Sequence, residues 1–301
     1  ESSEADLIVV VDKFLESFKK ISVTSSVKKT TEAGDVFDNP EIDCVFIATP
    51  AGTHFELAKS ALESGKHVFL EKPMTTNLAK AKKLEKIVLK SGKIFMLGHQ
   101  YIYNDYIRHL KNELKGGIIG KPRYFFAENF YFGPIRRDVD CFWETATHEL
   151  AIIDYLFSPG EITKIKGGSL SMTGQNSKDF ASADIVFSKG LGATISVSWL
   201  SPEKVRKFSV IGDRGVAIFD DRTETDKLKF FVYKYPHQSK KSEFFDAEKV
   251  KTITPKISAS EPLKNEVGVF LKSVRENKPP FTDIKHGMRI TRALDKITKN
   301  I

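Results

Sequence analysis

Much that would direct a chain to a membrane, a disulfide framework or a metal is missing from these 301 residues. There are two cysteines, Cys44 and Cys141, without the spacing of a redox or metal-binding pair. Cys44 lies in an apolar run, so a buried, reduced thiol is expected there. No apolar run approaches the ~20 residues that cross a bilayer. The N-terminus, Glu1-Ser2-Ser3-Glu4, has neither the basic nor the apolar region of a signal peptide. The expectation is a cytoplasmic protein with no membrane partner. Also absent is a glycine-rich phosphate loop of the G-x-G-x-x-G type.

Positive charge is in excess: 47 Lys and Arg against 39 Asp and Glu give a net charge of +8. Lys80, Lys82, Lys83, Lys86 and Lys90 scatter around one expected helix rather than lining a stripe, which describes a solvated surface. No nucleic-acid recognition motif accompanies the charge. An anionic small molecule, such as a nucleotide sugar or a sugar acid, is a more useful match. At 41% hydrophobic and 29% charged, the composition is that of an ordinary globular chain long enough for two domains.

What is present alternates between strand and helix signals. Leu7 to Val11 reads as a strand ending at Asp12, and a helix-like segment runs from Lys13 to about Lys20. Asp38-Asn39-Pro40 marks a turn before the apolar run Cys44-Val45-Phe46-Ile47-Ala48, which stops at Thr49-Pro50. Thr53-His54-Phe55-Glu56 has the form of a capping box, with Thr53 as N-cap of a helix that ends at Gly65. The strand from His67 to Leu70 leads into Glu71-Lys72-Pro73. Thr76 is expected to cap a helix with Leu78, Ala81, Leu84, Ile87 and Val88 on one face. Gly92 stops that helix, and Lys93 to Leu97 is a further strand. This alternation predicts a Rossmann-type, doubly wound parallel sheet in an α/β domain over residues 1–120. In such sheets ligands sit outside the carboxyl ends of the strands, which is where Lys72 stands.

After Gly120-Lys121-Pro122 the texture changes. Arg123 to Phe130 reads as extended, a helix carries His148, and a series of strand-like runs follows, with Gly212-Asp213-Arg214-Gly215 as a hairpin turn. Two helices close the chain, near 263–276 and 285–299. Residues 121–301 are therefore expected to form an α+β domain with a large, mostly antiparallel, open sheet.

An acidic residue ending the second strand of a dinucleotide-binding unit bonds the adenosine ribose hydroxyls, so Asp12 points to NAD as cofactor, and Lys13 beside it leaves room for NADP. In that unit the glycine-rich loop precedes the second strand. The chain is thus expected to start just before the second strand, lacking the first strand and loop, about 25–30 residues. A fold that never had the loop is the rival reading.

Residues 43–73 read Asp-Cys-Val-Phe-Ile-Ala-Thr-Pro-Ala-Gly-Thr-His, a helix, then Gly-Lys-His-Val-Phe-Leu-Glu-Lys-Pro. Gly98-His99, Gly120-Lys121-Pro122, Trp143-Glu144-Thr145-Ala146-Thr147-His148-Glu149, Glu261-Pro262-Leu263-Lys264-Asn265-Glu266 and Lys278-Pro279-Pro280 follow in order. The whole resembles the Gfo/Idh/MocA oxidoreductases, the glucose–fructose oxidoreductase and inositol dehydrogenase family. The resemblance implies hydride transfer between a sugar, polyol or nucleotide-sugar carbon and nicotinamide.

In such proteins the lysine of Glu-Lys-Pro, here Lys72, holds and polarises the reacting oxygen, and Glu71 lies beside the cofactor ribose. Thr49, Pro50 and His54 match the loop that passes close to the dinucleotide. His54, His67 and His99 are read as structural or cofactor-adjacent histidines rather than bases. Gln100 and Tyr101 follow the next strand towards nicotinamide or substrate. His148 is the candidate base for the hydroxyl proton, with a capping or core histidine as the alternative. Glu144, four residues earlier and on the same face of a helix, stands where the family usually has Asp, so orienting the base and binding substrate are both open to it.

Arg136 and Arg137 resemble the segment of the branch that works on nucleotide-linked sugars, and arginine forks suit a diphosphate. Salt bridges to Asp138 or Asp140 explain them equally. Trp143 is a packing residue or a pocket wall. The resemblance also implies a homo-oligomer, dimer or tetramer, built through the open face of the second sheet. A catalytically inactive nucleotide-binding regulator or scaffold of the same fold is the alternative, as is a nonfunctional fragment of the enzyme.

Overall fold

The computed structural model describes residues 4–174, 177–233 and 250–301. In chain order β1 (Val9–Val11), β2 (Lys28–Thr30), α1 (Gly34–Phe37), β3 (Cys44–Ile47), α2 (Ala51–Glu63), β4 (His67–Glu71), α3 (Leu78–Ser91) and β5 (Phe95–Gly98) come first. They are followed by α4 (Asp105–Lys115), β6 (Pro122–Phe132), α5 (Cys141–Thr145) and α6 (Thr147–Phe157). The strands β7 (Ile162–Leu170), β8 (Phe180–Phe187), β9 (Gly192–Ser198), β10 (Leu200–Gly212), β11 (Gly215–Asp220), β12 (Leu228–Val232) and β13 (Lys251–Ile253) precede α7 (Pro262–Glu276) and α8 (Ile284–Thr298).

Two compact units result, Glu1–Gly98 with Leu263–Thr291 and His99–Pro262 with Arg292–Ile301. The division expected after residue 120 falls instead after Gly98, and α7 returns to the first unit. Packing explains both shifts. Phe270 of α7 meets the rings of Phe46 and Phe69 edge-on at 5.1 and 5.7 Å. On α4, Tyr106 packs on Phe219 and the Lys111 ammonium sits 3.5 Å from the centre of the Tyr155 ring.

In the first unit the parallel strands form two sheets, β1-β2 and β3-β4-β5. Ile47, Val68, Leu70 and Leu97 make a core with Phe55, Ala58, Ala61 and Leu62 of α2 and Ala81, Leu84 and Val88 of α3. Two helix starts differ from expectation. α2 begins at Ala51 with Pro50 in the capping position, so Thr53 lies inside the helix and its hydroxyl turns back to the Pro50 carbonyl at 2.8 Å. Pro50 has an extended ψ of 141° and so stands just outside the helix, which begins at Ala51, ahead of the start that the capping box would give. α3 is capped by Asn77, whose side chain accepts from the Lys80 N–H at 2.9 Å, rather than by Thr76. Asparagine is at least as good an N-cap as threonine, and it is one residue closer to the first apolar turn. The segment after Asp12 is a short 3-10 helix, Leu15–Lys20.

Among the described residues the second unit is built on an eight-stranded sheet in the order β13-β12-β11-β10-β6-β9-β8-β7. Its neighbours are antiparallel except β6 and β9, which run parallel. β10 and β11 meet across the expected Gly212-to-Gly215 hairpin. Alternation along β6 gives the sheet two characters. Phe125, Ala127 and Asn129 are buried on the face where Phe157 of α6 lies 6.4 Å from Phe125, whereas Phe126 points away and is 39% exposed.

Candidate active site

Lys72 follows β4, on which Phe69 and Glu71 share one face and Val68 and Leu70 the other. It is half-buried, and its peptide bond to Pro73 is cis. Glu71 Oε2 accepts the Lys72 backbone N–H at 3.2 Å. Burial raises the Glu71 carboxyl above its usual range, while the Lys72 N–H and ammonium oppose that rise. The partner of Glu71 across the ladder is Gly98. A Cβ there would lie 3.2 Å from the Glu71 Cδ and both its oxygens, so only glycine leaves the carboxyl its ordinary room.

α7 adds a residue that stands in the Glu261-to-Glu266 motif but to which the sequence assigns no role. Glu266 lies one turn before Phe270, and as Phe270 faces Phe69, Glu266 is brought near Glu71. It is fully buried, and neither carboxyl oxygen has a hydrogen-bond partner among the described residues. Burial first, and the Glu71 charge second, push its carboxyl up to about 9.

The turn after β3 carries Thr49 and Pro50, both exposed, with the Thr49 and Thr53 hydroxyls 2.7 Å apart. His54, 1% exposed, places one ring nitrogen 2.8 Å from the Thr49 carbonyl oxygen and the other 2.8 Å from that of Pro73. Asp12 ends β1, and one of its carboxylate oxygens accepts the Phe14 N–H at 2.9 Å. Asp12, Thr49, Pro50, His54, Glu71 and Lys72 thus all belong to the first unit.

The other expected residues belong to the second unit. Gln100 opens a 3-10 turn to Tyr103. Tyr101 is buried, and its ring meets that of His148 edge-on at 5.1 Å. Its hydroxyl donates to Asp221 at 3.1 Å and receives a bond from the Arg206 guanidinium. Burial holds the phenol well above its ordinary range, although the Arg206 charge opposes this. Lys227 completes the cluster, 3.1 Å from Asp221.

His148 stands in the first turn of α6, beside two anchored neighbours. Thr147 Oγ lies 3.2 Å from His99 Nε2, and Glu149 accepts the Asn129 amide at 2.9 Å. One turn residue, Ala146, joins α5 to α6 with right-handed φ and ψ, and the bonds from its N–H to the Phe142 carbonyl at 2.9 Å and from the Leu150 N–H to its own carbonyl at 3.0 Å carry the four-residue pattern across the junction between Glu144 and His148. The Glu144 carboxylate accepts the hydroxyls of Tyr131 and Thr145, both at 2.9 Å. Asp140 caps α5 through the Trp143 N–H at 2.7 Å, and Trp143 is buried. Arg136 forks onto Asp138 with contacts of 2.9 and 2.7 Å, the ion-pair alternative of the sequence, whereas Arg137 is exposed.

The sequence motifs do not contain Arg206, Asp221 or Tyr131, and they contain Glu266 without giving it a role. Arg206 and Asp221 meet Tyr101 across 105 and 120 residues, and no local spacing encodes such contacts. Among the described residues no cluster of three His, Cys, Asp or Glu could hold a metal, and no helix is long and apolar enough to cross a membrane.

Residues 1–99 match the model of an oxidoreductase family with an NAD-binding Rossmann fold, and residues 107–218 match the Gfo/Idh/MocA C-terminal domain. The chain belongs to the Gfo/Idh/MocA oxidoreductase family.

Among relatives, the uncharacterized oxidoreductase YdgJ of Escherichia coli is 36% identical over 38% of this chain and 33% of its own length. The scyllo-inositol 2-dehydrogenase (NAD(+)) of Bacillus subtilis is 27% identical over 66% of this chain and 61% of its own. The match therefore spans a third to two thirds of these relatives. A solved UDP-N-acetylglucosamine 3-dehydrogenase from Acidithiobacillus ferrooxidans superposes with a TM-score of 0.81 at 22% identity, covering 98% of this chain and 89% of that one. At that identity the likeness speaks for the Gfo/Idh/MocA fold alone.

Proposed function

We propose that this Gfo/Idh/MocA chain carries out NAD-dependent hydride transfer at a ring hydroxyl carbon of a sugar, polyol or nucleotide sugar. The observation that carries this reading is Lys72, half-buried at the carboxyl end of a parallel strand and bonded through its backbone to Glu71. Bound nicotinamide supplies the hydride acceptor, or the donor in the reverse direction. Lys72 holds the reacting oxygen and stabilises its alkoxide character. His148 takes the hydroxyl proton as the C–H bond gives up its hydride. Tyr101 braces the His148 ring, and Glu144 assists through Tyr131. Asp12 would hold the adenosine ribose of the dinucleotide, and its carboxylate would disfavour a 2′-phosphate, favouring NAD over NADP.

Names of relatives support the substrate class, scyllo-inositol in one case and UDP-N-acetylglucosamine in another. The exposed Arg137 suits a diphosphate, whereas Arg136 is engaged by Asp138. Incubating the chain with NAD or NADP and a panel containing both compounds should give nicotinamide reduction, seen by absorbance, with at least one ring alcohol. Absence of turnover across the panel, with dinucleotide bound, counts against the enzyme and for the inactive nucleotide-binding reading.

A homo-oligomer fits the same reading. On the outer face of the second unit's sheet, Phe126, Val186 and Ile211 are each 37–40% exposed. Phe126→Glu is expected to shift a dimer or tetramer to monomer in sedimentation, with the circular dichroism spectrum retained. An unchanged sedimentation coefficient moves the interface elsewhere. The two free thiols fit a reducing, cytoplasmic setting.

A further inference from the structure

From the two contacts of its ring, we infer that His54 is a positioning residue, an imidazolium that clamps the turns after β3 and β4 and so fixes the direction of Lys72. Both ring nitrogens lie 2.8 Å from backbone carbonyl oxygens, those of Thr49 and Pro73. A carbonyl oxygen only accepts, and a neutral imidazole has one N–H to give. Two such contacts are both hydrogen bonds only when both nitrogens carry protons. Otherwise a ring lone pair faces a carbonyl oxygen in a site 1% exposed. The charge is placed against the first turn of α2, where the helix dipole disfavours a cation. Burial disfavours the charged ring as well, and the two charge-assisted bonds to the Thr49 and Pro73 carbonyls oppose both effects.

The position of the clamp follows from where the ladder stops. Parallel pairing of β3 with β4 ends at Ile47 opposite Leu70. Beyond it the strands run into Thr49-Pro50 and Lys72-Pro73, and proline has no N–H to extend a ladder. His54 supplies two donors where the backbone cannot, one to each turn. The Pro73 carbonyl is one residue from Lys72, so the clamp limits the swing of the lysine. This role rests on the catalytic reading of Lys72, whereas the charge state of His54 does not.

The test uses the full chain. Nitrogen-15 shifts of the histidine rings at neutral pH, with His54 assigned by its loss in His54→Gln, should show both ring nitrogens protonated. A neutral tautomer overturns the clamp. For positioning, His54→Phe keeps a ring without donors and should lower kcat about 10–100-fold with dinucleotide affinity retained, since a small misplacement near the reacting atoms has effects of that size. His54→Gln, which keeps an amide donor, should recover part of the loss. Unchanged kcat in His54→Phe overturns the positioning role. If His54→Phe does not fold, the wild-type nitrogen shifts still decide the charge state and His54→Gln the kcat. Double protonation together with full turnover in Lys72→Met would uphold the clamp and sink the catalytic reading.

Discussion

Replacing Lys72 with alanine lowers turnover of any ring alcohol that the chain oxidises by about 100- to 10,000-fold, the range expected for losing a charged stabiliser of a developing alkoxide. Each factor of ten corresponds to about 1.4 kcal/mol of transition-state stabilisation. The loss falls on kcat, with dinucleotide affinity little changed, because the ammonium acts where charge develops rather than on the bound ground state. Lys72→Arg does not restore the rate, since a planar fork presents its donors in a different geometry from a compact ammonium. His148→Asn shows a loss of the same order, and the double variant loses less than the product of the two single losses, as groups acting on one step do. Steady-state and single-turnover rates with NAD decide the matter. Equal single-turnover rates for wild type and Lys72→Ala would remove Lys72 from the chemistry.

The Lys72 loop was legible because its signal is local: a buried strand that stops at a charged residue and a proline. The same holds for the alternation of strands and helices in the first unit and for the hairpin between β10 and β11. Local rules failed where two residues compete for one role, as Pro50 and Thr53 do at the start of α2 and Asn77 and Thr76 at the start of α3. Nor does the sequence mark the one turn residue, Ala146, that divides the segment of Glu144 and His148 into α5 and α6. What stayed hidden depends on long-range packing. Arg206 and Asp221 reach Tyr101 only through sheet pairing, and the return of α7 to the first unit, which buries Glu266, depends on Phe270 finding Phe46 and Phe69.

Glu266 gives the largest stability effect. Its folded carboxyl titrates at about 9, against 4.5 for the ordinary group, so between those values the unfolded chain has released a proton that the folded chain keeps. A raised folded value means that stability is fully present below the unfolded value and is lost as pH climbs towards the folded one, by about 1.4 kcal/mol per pH unit at most. Other groups act in neighbouring windows. His67, lowered chiefly by burial, adds stability as pH rises through its ordinary value of 6.5. In Asp179 burial pushes the carboxyl up, but bonds from Met172 and Thr173 pull it further down, so its contribution is complete in the acid range. Cys44, pushed to about 11 by burial, matters only above pH 9. Between about pH 7 and 9 the slope is therefore chiefly that of Glu266, a loss of ~2 kcal/mol over two units, because the slope halves as pH reaches the folded value. That is a large share of the 5–15 kcal/mol that holds a typical domain folded. Glu266→Gln keeps the shape and removes the titration, so urea unfolding should show near-equal stability at pH 5, a flatter curve above pH 7 and a variant more stable than wild type at pH 8.5. Glu71→Gln, which removes the smaller of the two causes, should flatten the curve only in part. Parallel pH curves for wild type and Glu266→Gln would mean that the folded protein does not hold a neutral acid beneath Glu71.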